Sequence, residues 1–180
     1  MLPIGPLMIE HRLIERVIAL MAAELVRIKA TGKADPSRIT TIVDFIKTYA
    51  DHFHHGKEEN ILFSELGRKA LSDEHRRILD ELIAEHALGR TTTQRLVEAT
   101  ARYVGGDAGA LAEIAEAMAV IVEFYPRHID KEDRHFFMPV MAYFSEQEKA
   151  DMLKQGYAFD QTLIHEKYKE MIVNAEKAAE

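Results

Sequence analysis

Two copies of one short motif constrain this chain more than any other feature. His54 precedes Glu58 by four residues, and His128 precedes Glu132 by the same interval. Each acid is followed five residues later by a phenylalanine, Phe63 and Phe137. On an α-helix, residues four apart lie on one face, so each motif presents an imidazole and a carboxylate together. Such a pair can bind one divalent ion or share two. One copy alone is typical of a solvated helix surface, whereas two matched copies favour a metal site.

Apolar residues recur at helical spacing along almost the whole chain, and nothing in the pattern indicates a strand. Helices are predicted from about Pro6 to Ile28, from Pro36 to about Lys69, from Ser72 to about Val104, from about Asp107 past Phe136, and from Ser145 onward. Capping signals support three of these starts: Asp35 before a proline, Ser72 before two acids, and a capping box at Ser145–Glu148. Pro126 lies inside the fourth helix and predicts a kink just before His128.

Four long helices joined by short connections favour an all-α, up-down-up-down four-helix bundle. We place the bundle at about residues 6–143 and an additional C-terminal helical region at about residues 145–178. The chain has 180 residues, of which 47% are hydrophobic, and this is enough for one domain with a single core. We therefore expect residues 1–180 to form one domain.

Several polar residues fall on the apolar stripes of these helices. His11, His86, His128 and Glu132 all do so, and they come from three different helices. Burying an ionised carboxylate is costly unless it is paired or bound to a metal. A lone histidine on such a stripe is typical of a satisfied core residue. Inward donors on each of four helices, with the second helix adding His54 and Glu58, instead predict a metal cage in the core of the bundle.

These motifs together resemble the hemerythrin-like HHE cation-binding domains, over about residues 1–140. The segments that carry the resemblance are HHGKEENILF and HIDKED, with His11 and Glu85-His86 completing the pattern. The resemblance implies a non-haem diiron centre in which histidines are terminal ligands and two carboxylates bridge the ions. Carried over residue by residue, it implies the ligands His11, His54, Glu58, His86, His128 and Glu132.

Two registers stay open at this point. On the second helix, His55 with Glu59 is the rival of His54 with Glu58; aligning the acids and phenylalanines of the two motifs favours the latter. On the fourth helix, the oxygen-carrying hemerythrins resemble HIxxxD, which selects Asp133 in place of Glu132.

The third helix departs from the hemerythrin pattern. Those proteins resemble HxxxH there, whereas His86 has Leu82 and Arg90 at the corresponding positions. The centre is therefore one histidine short of the pattern. Either a coordination position is open to water or substrate, or another residue fills it. The candidates are His165, His135 and Tyr49. Asp51 and Glu85 are candidate acceptors for the outer N–H groups of ligating imidazoles.

Composition narrows the remaining classes. The net charge of −7 and the lack of a basic stripe argue against a nucleic-acid binder. We expect no membrane association, because no apolar run is long enough to span a bilayer, and cytoplasmic localisation by elimination, because no secretory leader is recognisable. The absence of cysteine excludes disulfides and thiolate ligands.

The function that follows is a carrier, sensor or scavenger of O₂, NO or peroxide at two carboxylate-bridged iron ions. Two alternatives are a diiron peroxidase, catalase or NO reductase, and an iron donor for iron–sulfur cluster repair. Whether the protein is an enzyme stays open. The partner implied is a small ligand.

Overall fold

A computed structural model describes the backbone of residues 1–179 and the side chains of residues 1–162. The helices are α1 (Ile4–Thr31), α2 (Pro36–Phe45), π1 (Ile46–His55), π2 (Glu58–Phe63), α3 (Ser64–Gly67), α4 (Asp73–Val104), α5 (Ala110–Asp130), π3 (Lys131–Phe136), α6 (Phe137–Val140), a 3-10 turn (Met141–Tyr143) and α7 (Glu146–Ala179). Residues 1–179 contain no strand, so the predicted all-α class is confirmed.

Four helical runs form a bundle, namely α1, the run of residues 36–67, α4 and the run of residues 110–143. α5 packs along both α1 and α4, and the run of residues 36–67 contacts the same two helices. α7 lies outside this arrangement and contacts π2. The bundle is therefore shown, while the up-down-up-down order of its helices stays a prediction.

Side-chain caps set three of the helix starts. Asp35 accepts hydrogen bonds from the N–H groups of Ser37 and Arg38, and Ser72 accepts one from His75. Ser145 and Glu148 form the predicted capping box, because each accepts a hydrogen bond from the backbone N–H of the other. α5 continues past Pro126 to Asp130, and the kink expected there stays a prediction.

The apolar core is divided into two parts by a band of buried polar side chains. One part contains Ile14, Ile18 and Met21 of α1, and the other contains Ile4 and Leu7 of the same helix. The buried His11 lies between these two sets in the sequence. The other three runs show the same division around their buried histidines and glutamates. The fold thus places a polar layer between two apolar clusters.

Three π-helical segments flank this layer, on the runs of residues 36–67 and 110–143. In a π-helix the hydrogen bonds run between residues five apart, so each turn is wider than in an α-helix. The segments carry or adjoin five of the buried polar residues. No helix in the described part of the chain combines the length and the apolarity needed to cross a membrane.

Candidate metal centre

Seven buried side chains converge between the two apolar clusters. They are His11 of α1, His54 and His55 of π1, Glu58 of π2, His86 of α4, His128 of α5 and Glu132 of π3. None is more than 2% exposed. Every helical run of the bundle contributes at least one of them. Histidine and glutamate are ligands for iron, zinc and manganese alike, so the donor set fits a metal centre without selecting the ion.

The seven donors form two neighbouring groups. The three-histidine cluster consists of His55, His86 and His128, and the mixed cluster consists of His11, His54, Glu58 and Glu132. Within each cluster, one donor atom from every member lies within 4.8 Å of the others. Each cluster is therefore compact enough to surround one ion.

The two glutamates face both clusters. Glu58 approaches His54 Nε2 with Oε1 at 3.2 Å and His86 Nε2 with Oε2 at 3.4 Å. Glu132 Oε2 lies 3.2 Å from His11 Nε2 and 3.4 Å from His128 Nε2, while its Oε1 lies 4.0 Å from His86 Nε2. Both carboxylates lie between histidines of different clusters, which is the position a bridging carboxylate requires.

π1 explains how two consecutive residues reach the same layer. Residues next to each other on an α-helix diverge by about 100° around the axis. The wider turn of a π-helix reduces that divergence, and π1 ends at the His54–His55 pair. Both imidazoles are buried, and the rings of His55 and His86 stack with their centroids 3.8 Å apart. π-helical turns are rare and occur frequently at functional sites.

Four of the five histidines are held from outside by a carboxylate. Nδ1 pairs with Asp133 at 2.8 Å in His11, with Glu10 at 2.9 Å in His54, with Glu59 at 2.6 Å in His86 and with Glu85 at 2.8 Å in His128. A proton on Nδ1 leaves the inward Nε2 lone pair free, which is the tautomer a metal ligand needs. These outer carboxylates thus orient all four rings toward the layer.

His55 is the exception. Its Nδ1 lies 3.6 Å from Asp51, beyond hydrogen-bond distance, and this atom is buried without a partner among the described residues. Asp51 instead accepts a hydrogen bond from Arg90 Nε at 2.7 Å. His55 therefore lacks the hydrogen bond that orients the other four.

The inward-facing atoms test whether the cage suits a metal. The Nε2 atoms of His11, His54, His86 and His128, and all four carboxylate oxygens of Glu58 and Glu132, are buried without a hydrogen-bond partner among the described residues. The close approaches between these groups lack hydrogen-bond alignment. Unsatisfied buried polar groups are costly and rare in folded proteins. Cations bound in the two clusters would satisfy these atoms, and so the residues present fit a metal centre.

Without a metal, the charged side chains of the cage shift one another's pKa values. Burial lowers the pKa of His54, but the carboxylates of Glu58 and Glu10 outweigh it and raise that pKa to about 10. Burial raises the pKa of Glu58, but His54 outweighs it and the pKa falls to about 2. Burial and the adjacent His86 hold the pKa of His55 well below its ordinary value. A proton on His54 therefore supplies positive charge that a metal would have to displace.

Aromatic rings pack against the histidines of the layer. The phenylalanines that follow the two motifs both stack on predicted ligands: Phe63 lies 5.7 Å from His86 and Phe137 lies 5.7 Å from His11, between ring centroids. Tyr125 stacks on His55 at 6.3 Å from the opposite part of the core. Burial raises the pKa of the Tyr125 hydroxyl. These rings make the surroundings of the cage apolar.

The alternatives raised by the sequence have definite places. Glu59 and Asp133 lie outside the cage, where each accepts from a histidine Nδ1 and pairs with an arginine, Arg90 and Arg12 respectively. Tyr49 stacks between Phe45 and Phe53. His135 is exposed. His165 lies outside the residues whose side chains are described.

Sequence reasoning treated His54 and His55 as rivals, and the structure brings both into the layer. His55 stacks on His86 of the third helix, while Leu82, four residues before His86, is buried in an apolar cluster. Two adjacent histidines in the sequence could have indicated that both reach the layer, but the period of an α-helix allows only one of two adjacent side chains to point inward. Glu10 was also missed, because it reads as an ordinary surface glutamate.

The family model for the hemerythrin HHE cation-binding domain matches residues 2–140. The chain belongs to this family. The match covers all seven donors, whose positions lie between His11 and Glu132. α7 lies beyond it.

The curated relatives carry no assigned function. Proteins of Mycobacterium bovis and of two Mycobacterium tuberculosis strains, each described as an uncharacterized protein, are 25% identical to the chain over 147 residues. The match covers 81% of this HHE protein and 56% of each relative, so the chain spans about half the length of the curated relatives it matches. No solved structure matches significantly.

Proposed function

We propose that this HHE protein binds two iron ions in its core and carries, senses or scavenges O₂, NO or peroxide there. The observation that supports the proposal is a set of eight buried donor atoms in two clusters, none of which has a hydrogen-bond partner among the residues whose side chains are described. One donor group has three members and the other has four, and the two carboxylates face both groups. This arrangement suits a pair of ions better than a single ion. A bound iron pair would supply reversible binding or redox chemistry toward such small molecules.

Each donor has a proposed role. His55, His86 and His128 would hold one ion, and His11 and His54 the other, with Glu58 and Glu132 bridging them. The second ion then has fewer protein ligands than the first, since the mixed cluster offers two histidines against three. An open position for an incoming ligand is therefore proposed on the side of His11 and His54. Tyr49, His135 and His165 are not needed to complete this set.

Side chains around the seven donors orient the imidazoles and make their surroundings apolar. The outer carboxylates hold protons on Nδ1 and leave Nε2 directed inward. Phe63 stacks on His86 of one cluster and Phe137 stacks on His11 of the other, so an apolar ring lies against each cluster. An apolar, water-poor wall of this kind limits proton access to a bound ligand and shields it from hydrolysis.

The up-down-up-down order is part of the proposal, and the distribution of the core supports it. α1 and α4 pass from the apolar cluster containing Leu7 and Leu82 to the cluster containing Ile14 and Leu96. The runs of residues 36–67 and 110–143 pass between the same clusters in the opposite sense. Neighbouring runs that cross one layer in opposite senses are antiparallel.

The decisive experiment is metal analysis of protein purified without oxygen, followed by optical spectra on exposure to O₂ and then to NO. Two iron ions per chain and a visible absorption change with either gas are expected. Which gas produces the change distinguishes the candidate ligands. A single tightly held zinc ion, or iron that is lost on gel filtration, would contradict the proposal.

One observation favours the enzymatic alternative, a peroxidase, catalase or NO reductase. A pocket of about 570 Å³ opens between π1 and α4 and reaches His55, Thr93 and Tyr125. It is larger than a diatomic ligand requires. If the pocket serves turnover, the iron-loaded protein should decompose peroxide, and Gln94→Trp at the pocket lining should slow that rate without changing the iron content. No peroxide decomposition by the iron-loaded protein would leave binding as the function, and an unchanged rate in Gln94→Trp would mean that turnover does not use this pocket.

A further inference from the structure

A buried lysine links α7 to the candidate metal centre. Lys57 lies between π1 and π2 and its side chain is only 5% exposed. Its ammonium pairs with Glu10 of α1 and lies 2.9 Å from Asp160 Oδ1 of α7. The same ammonium sits 3.8 Å from the centre of the Phe53 ring. A buried cation requires compensating charge, and two carboxylates from two other helices provide it.

Glu10 is shared between this lysine and a candidate ligand. Its Oε1 pairs with Lys57, and its Oε2 accepts from His54 Nδ1 at 2.9 Å. Glu10 is itself buried. A continuous chain of polar contacts therefore runs from Asp160 through Lys57 and Glu10 to His54. No other outer carboxylate in the described residues is tied to α7 in this way.

The neighbouring residue of α7 is seated against the same segment. Phe159 packs so closely on Gly56 that a Cβ added there would lie 2.8 Å from its ring. Gly56 follows His55 directly and has ordinary helical backbone angles, φ −58° and ψ −40°. Glycine is thus needed there for close approach and not for backbone conformation. Phe159 and Asp160 together dock α7 on the two residues between π1 and π2.

We propose that Asp160 is a positioning residue for His54, so that docking of α7 sets the affinity of the mixed cluster for its metal. Asp160 neutralises Lys57, which leaves Glu10 free to hold the His54 ring in the inward orientation. Without Asp160, Lys57 draws more strongly on Glu10 and weakens its hydrogen bond to His54. The proposal rests on the proposed function for the metal, but its first consequence is visible without metal.

The metal-free readout is the imidazole nitrogen spectrum of ¹⁵N-histidine-labelled full-length protein. Asp160→Asn should shift the His54 Nδ1 resonance and leave that of His128 unchanged, because His128 is held by Glu85. Asp151→Asn is the matched control: Asp151 lies on the same helix, is exposed, and accepts a hydrogen bond from Gln147 of its own helix. Asp160→Glu should restore the native signal. Unchanged His54 signals in Asp160→Asn would overturn the proposal, whatever the metal content.

The metal readout is a titration of the apoprotein with Fe²⁺ under anaerobic conditions. Removing a partner behind a ligand typically weakens metal binding about 10- to 100-fold, and Asp160 acts through two intermediates, so about tenfold is expected for one of the two ions. His11→Ala disables the mixed cluster and should abolish this effect, whereas His128→Ala should preserve it. Equal weakening of both ions, or the same loss in the His11→Ala background, would show a merely structural role and overturn the proposal. If the unmodified protein binds no second Fe²⁺, the proposed function fails, and the nitrogen spectra still decide the role of Asp160.

Discussion

His54 and His55 are adjacent in sequence but differ in what holds them. Glu10 accepts a hydrogen bond from His54, while Asp51 stands 3.6 Å from His55 and is engaged by Arg90. The two imidazoles also enter different clusters. Substitutions at these two positions therefore affect different clusters, whereas the sequence alone presented the two histidines as a choice between two helical registers.

We predict that His54→Ala and His55→Ala each lower the iron content from two ions per chain to about one. Each removes a single imidazole from a single cluster, so the other cluster keeps its donors. The measurement is iron per chain by mass spectrometry after gel filtration. His52→Ala is the control, since His52 is the exposed neighbour on the same segment and should keep both ions. Full iron content in His55→Ala would remove His55 from the ligand set.

At the scale of elements, the helices could be predicted from the sequence, but the number of residues per turn could not. Helix starts at Asp35, Ser72 and Ser145 follow from caps whose side chains act on the adjacent backbone. Such local interactions are legible in sequence. π1 is different, because its wider turn depends on packing of the whole bundle around the buried layer, and periodicity assumes 3.6 residues per turn. For that reason, the sequence pattern did not predict that both His54 and His55 point inward.

The docking of α7 on the run of residues 36–67 predicts that the effect of Gly56→Ala on stability changes sign when the Phe159 ring is removed. Gly56→Ala gains helix propensity of about 1 kcal/mol but forces a clash with Phe159, and overpacking costs roughly 1–3 kcal/mol. We expect a net destabilisation of about 1 kcal/mol in the native background. In a Phe159→Ala background the same change should stabilise. Urea unfolding of the four proteins gives both values.

Gly156→Ala provides the comparison for that experiment. Gly156 lies within α7, and a Cβ there meets no described atom within 4 Å. It should stabilise the protein by roughly 0.5–1 kcal/mol through propensity alone. Stabilisation by Gly56→Ala in the native background would mean that Phe159 yields at no cost and does not hold α7 in place.

The capping box of α7 predicts a pH-dependent contribution to stability. Lys69, followed by Ser145, stabilises the carboxylate of Glu148 and lowers its pKa from 4.5 to about 2. Because the folded-state pKa lies below the unfolded value, the stabilisation is complete above pH 4.5 and is lost as the pH falls toward 2. Glu148→Gln should therefore destabilise the protein at pH 7, and the difference from the native protein should shrink below pH 4.5.

Subtracting the stability of Glu148→Gln from that of the native protein at each pH cancels the contribution of the titrating groups of the core, because both proteins contain them. Thermal unfolding at a series of pH values between 2.5 and 7 gives the curve. In a Lys69→Met background the effect of Glu148→Gln at pH 7 should be smaller, since Lys69 is the largest cause of the lowered pKa. A difference that stays constant down to pH 2.5 would mean that the carboxylate charge contributes nothing.

For the molecule as a whole, the polar layer places buried donor atoms without hydrogen-bond partners among the described residues at the centre of the bundle. The predicted fold class follows from apolar spacing, and the positions of six of the seven donors follow from the two motifs, His11 and His86. What the sequence could not show is that the layer divides the core into two apolar clusters. That division arises from where the four runs cross, which is a tertiary property. It makes the stability of the whole bundle depend on the charge state of its centre.

We therefore predict that iron raises the melting temperature of the chelator-stripped protein by roughly 10 °C or more. The carboxylate oxygens of Glu58 and Glu132 are buried without a hydrogen-bond partner among the described residues, and unsatisfied buried groups of this kind destabilise the empty cage. At a free iron concentration a hundred times the Kd, each ion adds about 2.7 kcal/mol to the free energy of unfolding. For a domain of this size, 1 kcal/mol corresponds to about 2–4 °C. A variant with both His11→Ala and His128→Ala lacks a donor in each cluster and should show little change on iron addition. An unmodified protein whose melting temperature is unaffected by iron would contradict a metal centre between the two apolar clusters.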